Sequence, residues 1–354
     1  MSARAAENLF WLGRYAERAE ALVRVLRAVG DRRNEFQHSA TDAGNECLEV
    51  LLRTLTEVTA TWPGFAASDA TVLADPGEEL RSLVVDEHRA GTLAYDARRL
   101  LDAAYAVRDQ LSNDTWLVIG TLEHDLLGSA AATYPRGVGS ATLSRVLQAL
   151  LALAGLQSES MVRDPGWRFM EAGRRLERAI GLVDLLRSTV TTERGTATDS
   201  LVFESVLIAA ESIITYRRRY RSHAQLETML DLLILDGGNP RALTYQMRLL
   251  SEAVSALPDG AAAALPSTGR MSPAERHVLE TMSTVRLADT TALAAAGPDG
   301  RRVELLALLE RLDAGLHAIG AAISAAHFTP LQPQRSLLAS ADPPDAADLN
   351  AVFV

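Results

Sequence analysis

The sequence predicts an all-α protein made of two related helical units, and three observations carry that expectation. Ala and Leu dominate a chain whose apolar fraction is 48% and whose aromatic fraction is only 5%, and both residues lose little on entering a helix. Apolar residues recur at three- and four-residue steps, with no alternating run long enough for a sheet. Clusters of Gly, Pro and Asp punctuate these stretches.

The first helix is expected over 3–30. There Ala5, Leu9, Leu12, Ala16, Ala19, Val23 and Leu26 step by four and three, forming one apolar seam, and Gly30-Asp31 signals its end. A second helix over 41–61 stops at Trp62-Pro63-Gly64. A short helix follows Asp75-Pro76, and longer ones cover 92–111 and 113–128. Pro135 and its neighbouring glycines make 133–139 a connector. The stretch 140–160, with Leu147, Leu150, Leu151 and Leu153, is helical until Asp164-Pro165-Gly166 breaks it. Further helices are expected over 167–191, 198–220, 222–236 and 241–257. A Gly-, Pro- and Ala-rich loop spans 258–273, and helices resume over 273–294 and 301–326. From 328 to 354, Pro330, Pro333, Pro343 and Pro344 among Ser, Asp and Ala predict a disordered tail.

Two segments repeat in order. Gly13, Arg14, Glu17, Arg18, Ala19, Leu22, Val23, Leu26 and Arg27 each recur 160 positions later, from Gly173 to Arg187. Leu93, Tyr95, Arg98, Leu100, Ala103 and Ala106 recur 150 positions later, from Leu243 to Ala256. Two leucine-rich helices would share leucines by chance, but not Gly, Arg, Glu and Arg in register. Tandem duplication accounts for both matches. It predicts units over 1–162 and 163–327, packed with pseudo-twofold symmetry into one globular domain, followed by the tail.

Charge and composition exclude several functions. The net charge is −10 and no basic run tracks a phosphate backbone, which argues against nucleic-acid binding. All 35 basic residues are arginine, so there is no Schiff-base or phosphate-loop lysine. Cys47 is the single cysteine, which excludes an intramolecular disulfide. A di-metal bundle needs a Glu-x-x-His motif from each half, a requirement the halves do not both meet, and no metal or other cofactor is expected. No apolar segment is long enough to span a membrane, and the opening residues carry no signal-like apolar core. The expected location is the cytoplasm.

The chemistry-bearing candidates centre on Glu17-Arg18 and Glu177-Arg178. The heptad places Glu17 and Arg18 on opposite flanks of the seam, and Arg14 and Arg174 lie one turn earlier. One reading is a set of salt bridges that fixes packing. The other is a Glu/Arg-lined cleft between the halves that binds an anionic group or a peptide carboxylate. Tyr216, Arg217, Arg218 and Arg219 form a basic, aromatic knot, read either as ion pairs to Glu204 and Glu211 or as part of that cleft. Weaker candidates are Asn113, Asn239, Arg241, Tyr95, Arg98, Tyr245 and Arg248; Asn239 suits a helix N-cap after Gly237-Gly238. Trp11 and Trp116 are expected in packing.

The segments NLFWLGRYAERAEALVRVL, VRDQLSNDTW, GWRFMEAGRRLERA, TYRRRYR and LDGGNPRALTY occur in that order. Together they resemble the alpha-E family, a bacterial all-α domain with a Glu-Arg motif. The resemblance implies a partner, a circularly permuted ATP-grasp protein encoded alongside or fused. It implies in turn an accessory, binding role in a peptide or amide ligase system, with a possible peptide substrate. Two alternatives stay open. One is a stand-alone enzyme using paired carboxylates on a peptide or amino acid, and the other is a scaffold or oligomerisation bundle without a small-molecule site.

Overall fold

The computed structural model describes residues 1–38, 41–66, 70–128, 140–221, 223–258 and 271–329. The connector over 133–139, most of the loop over 258–273 and the tail beyond 329 lie outside the described residues. Among the described residues every regular element is helical, and pairing is limited to one isolated bridge between Thr192 and Arg301. In chain order the first helices are α1 (Ala3–His38), α2 (Asp42–Thr59), α3 (Ala70–Ala74), α4 (Gly77–Val85), α5 (Leu93–Ala106), α6 (Asn113–Leu127) and α7 (Ser140–Glu159). Then come α8 (Pro165–Val190), α9 (Thr196–Ala209), α10 (Ile213–Tyr220), α11 (Leu226–Leu230), α12 (Leu243–Ser255), α13 (Pro273–Arg286), α14 (Thr290–Ala294) and α15 (Val303–His327). No described helix is long and apolar enough to cross a membrane.

The spine is the pair α1 and α8. Helices α5 and α7 pack on α1, with α6 joining them; α12 and α15 pack on α8, with α13 joining them. Each side also sends one helix across, so that α2 rests on α8 and α9 rests on α1. The spine is therefore enclosed. On α1 the expected seam residues Leu9, Leu12, Ala19, Val23 and Leu26 are buried, but so are Phe10, Leu22, Val25 and Val29. A helix surrounded by partners buries more than one stripe.

Several boundaries differ from expectation. Gly30 does not end α1. Beyond it Arg32 donates to Ser205 at 2.9 Å and to Glu204 at 2.7 Å, and Phe36 is buried. These contacts outweigh the roughly 1 kcal/mol penalty of a helical glycine. The helix expected over 198–220 is two, α9 and α10, divided where Glu211 takes a φ of 53° and pairs with Arg24. The stretch expected over 273–294 also divides, because Asp289 caps α14 by accepting from the Thr291 and Ala292 amides. Residues 231–235 close α11 as a π turn. Phe328, assigned to the tail by the sequence, packs against Phe10 and Phe169 at ring-centroid distances of 5.4 and 5.9 Å.

Candidate functional site

Glycine permits the close approach of α1 and α8. A Cβ on Gly13 would strike the Met170 carbonyl, and one on Gly173 would strike the Phe10 carbonyl. The contacts advance up both helices together, reaching Ala21 beside Gly181, so the two run parallel. Each contact has a mate: Phe10 stands to Gly173 as Met170 stands to Gly13, in the 160-residue register.

Side chains along this seam exchange charge. Glu177 accepts from Arg14 Nε at 2.5 Å and from Arg18 Nε at 2.6 Å. In return Glu17 accepts from Arg174 Nε at 3.4 Å and from Arg178 Nη2 at 2.7 Å. Both carboxylates are buried. Burial pushes the Glu177 carboxyl up, but Arg14 and Arg18 outweigh it and hold it below the usual range. One turn on, Glu20 pairs with Arg24 at 2.9 Å, Arg241 at 2.8 Å and Arg178 at 3.4 Å. Burial opposes ionisation there too, yet Arg241, Arg178 and Arg24 draw Glu20 down to about 2.

A cleft of about 600 Å³ opens against this layer. Its wall includes Arg14, Glu17, Arg18, Glu177, Arg178, Tyr95 and Arg241 from the sequence-derived candidates, together with Trp11, Tyr15, Arg24, Asp184, Arg187, Asp313 and His317. The Glu17 and Glu177 carboxylates sit deep and are held by arginines, while Arg18 has the most exposed side chain of the layer at 34%. Arg14 lies over the Trp11 ring at 4.7 Å and Arg18 over Tyr15 at 5.5 Å. The arrangement presents oriented guanidinium edges beside aromatic and apolar surface, which suits a carboxylate-bearing ligand.

The remaining candidates lie elsewhere. Arg174 faces Glu17 without lining the cleft. Tyr216 to Arg219 also do not line it. Tyr216 is buried, its hydroxyl accepts from the Gln225 amide, and it shares a hydrogen bond with Thr228 at 2.6 Å. Arg217 pairs with Glu204, Arg219 with Asp236, and Arg218 is exposed. Arg98 and Arg248 pair with Glu87 and Glu252 at the surface, and Arg248 lies over Tyr245. Asn113 opens α6 behind the Ser112 cap. Asn239 is not a helix cap: it donates to Ser212 and Leu232 and accepts from the Arg241 amide, bracing the turn that aims Arg241 at Glu20. Trp11 lines the cleft, whereas Trp116 packs on Tyr105. Among the described residues no group of three or more His, Cys, Asp or Glu is placed to hold a metal ion.

Asp96 was not visible as a candidate. It is fully buried beneath the cleft wall, 4.0 Å from Arg18, and among the described residues neither carboxylate oxygen has a hydrogen-bond partner. Burial pushes its carboxyl up to about 7, against the pull of Arg18 and with the help of Glu177. The 150-residue register pairs it with Gln246, which is satisfied by Arg175 at 3.2 Å and by the Pro240 carbonyl. A folded value raised above the ordinary 3.8 favours the fold below about pH 4, and that contribution is lost as pH rises through 7. Asp96→Asn is therefore expected to melt roughly 2–6 °C above wild type at pH 8 and level with it near pH 4. Thermal melts at the two pH values check this.

A family model described as a predicted alpha-helical domain with a conserved ER motif matches residues 1–328. Uncharacterized proteins of Mycobacterium tuberculosis and Mycobacterium bovis are each 36% identical over 325 residues, covering 90% of this chain. The alignment covers 35% of those relatives, so the chain spans about a third of their length. No solved structure matches it. The chain, which carries Glu-Arg pairs at 17–18 and 177–178 on its helix seam, belongs to the Alpha-E family.

Proposed function

We propose that this chain is the accessory, ligand-binding partner of an ATP-grasp-type peptide or amide ligase system, with the Glu/Arg-lined cleft as its recognition site. The observation that carries the proposal is the exchanged ion-pair layer facing a cleft of about 600 Å³. Arg18 supports it as well: its side chain lines the cleft and stays one-third exposed, with Nε on Glu177 and Nη1 4.0 Å from Asp96. The ATP-grasp partner follows from the family resemblance. The greater length of the curated relatives accords with a module that works beside other domains.

The same layer supports the duplication. The reciprocal pairs Arg14–Glu177 and Arg174–Glu17, and Arg18–Glu177 and Arg178–Glu17, are the contacts that two copies of one helix make across a twofold axis. Units over 1–162 and 163–327 accord with the turn between α7 and α8.

Paired-carboxylate catalysis by Glu17 and Glu177 fits less well, because a general acid needs a raised value and Glu177 is held low. The test is a ligation assay with a purified ATP-grasp partner, run with and without this chain. Wild type is expected to stimulate ligation, and Arg18→Gln is expected to remove most of that stimulation while the helical spectrum stays unchanged. Full stimulation by Arg18→Gln would remove the cleft from the proposal. Equal rates without the chain would remove the partner role.

A further inference from the structure

The cleft is charged unevenly along its length. Toward one end five cleft-lining guanidiniums, from Arg14, Arg18, Arg24, Arg178 and Arg241, meet the carboxylates of Glu17, Glu20, Glu177 and the exposed Glu211, with Asp96 farther off at 4.0 Å; the exposed Glu57 lines the cleft as well. Of these guanidiniums Arg18 has the most exposed side chain, at 34%, with Nε on Glu177 and Nη1 no nearer than 4.0 Å to Asp96. Arg241 titrates lower than an ordinary arginine, through burial first and the like charge of Arg178 second. At the other end Asp184 and Asp313 share one guanidinium, that of Arg187, at 2.6 and 3.4 Å, and His317 stands 3.1 Å from Asp313. Negative charge is in surplus at this end. Burial, with the charge of Asp313 adding to it against Arg187, lifts Asp184 to about 6.

The two ends are joined by apolar wall from Leu22, Val25, Ile180, Leu182 and Leu185. From Arg178 to Asp184 is six residues of α8, or about 9 Å at 1.5 Å per residue. An extended peptide advances about 3.3–3.6 Å per residue. The separation matches the distance from the ammonium to the carboxylate of a peptide two or three residues long.

Resting on the reading of the cleft as a recognition site, we propose that its ligand is a short zwitterionic peptide of two or three residues. Its carboxylate lies on the Arg18, Arg178 and Arg241 side, its ammonium between Asp184 and Asp313, and its side chains on the apolar wall. Both charged ends supply electrostatic complementarity, and reversing the peptide would set like charges together.

Calorimetry with trialanine, its N-acetyl form and its C-terminal amide tests this on the full chain. Trialanine is expected to bind at about 1 mM or tighter, and each blocked form about tenfold more weakly. Asp184→Asn should weaken trialanine while leaving the N-acetyl form unchanged, and Arg241→Gln should weaken it while leaving the amide unchanged. Because the blocked ligands probe the unaltered protein, loss of folding in a variant does not decide the matter. Equal affinity for trialanine and its N-acetyl form, or for trialanine and its amide, overturns the dipolar assignment. Absence of binding by all three, with ligase stimulation still dependent on Arg18, overturns the peptide ligand and leaves the recognition role standing. Trialanine binding unaltered by Arg18→Gln, Arg241→Gln and Asp184→Asn overturns both.

Discussion

Gly173→Ala is expected to lower the unfolding free energy by about 3 kcal/mol, and Gly13→Ala by a similar amount. The added methyl at either position meets a backbone carbonyl on the opposing helix, Phe10 in one case and Met170 in the other. A carbonyl inside a helix cannot rotate away, so α1 and α8 must separate along the seam, loosening the ion pairs beside it. Helix propensity pulls the other way, since alanine is favoured over glycine by about 1 kcal/mol. Gly30, Gly120 and Gly155 supply the control: each lies in a helix with nothing within 4 Å of a built Cβ. Alanine at those sites is expected to stabilise by roughly 0.5–1 kcal/mol. Urea titrations of the five variants separate the two effects, and a neutral Gly173→Ala would show that the seam yields.

Glu177→Ala carries the other large effect, a loss of about 3–5 kcal/mol. The deletion strips the carboxylate that holds Arg14 and Arg18, whose side chains are 13% and 34% exposed, and leaves two like charges facing each other in a poorly solvated site. Glu17→Ala should act similarly through Arg174 and Arg178. The double variant should lose less than the sum, because both sets of ion pairs brace the same α1–α8 seam. Removing Glu252, whose pair with Arg248 is exposed on both sides, should change stability by less than about 0.5 kcal/mol. Acid has the same effect as the deletion. Since Glu177 is held below its ordinary value, its contribution is present above about pH 4.5 and is lost as pH falls through its folded value.

Much of this arrangement was legible in the sequence, for identifiable reasons. Helices declared themselves because apolar spacing, Trp62-Pro63-Gly64 and Asp164-Pro165-Gly166 are local signals. The motif pairs declared themselves because repetition in register is visible without coordinates. What was missed depends on chain crossings. Gly30 looked like a terminus because the contacts that carry α1 past it come from α9, more than 160 residues away. Glu20 drew no notice because its counterpart 160 residues on is Ile180, so repetition gave no signal. Asp96 was hidden between Tyr95 and Arg98, which were noticed for matching the second repeat. The available signal was the departure from it: an acid where Gln246 stands in the other copy, facing Tyr15 where Arg175 stands. Tyr216 to Arg219 drew attention by local density of charge, and that density is spent on Glu204 and Asp236.

The exchange of carboxylates between α1 and α8 has a consequence for synthesis. Arg14 and Arg18 leave the ribosome some 160 residues before Glu177, a wait of roughly 8–30 s at ordinary elongation rates. During that interval Arg14 and Arg18 lack Glu177 and the flank of α1 that meets α8 is bare, so the nascent first half is expected to stay loosely closed. Susceptibility to proteases and to pairing with another nascent copy is expected to fall when α8 emerges and supplies the missing charge.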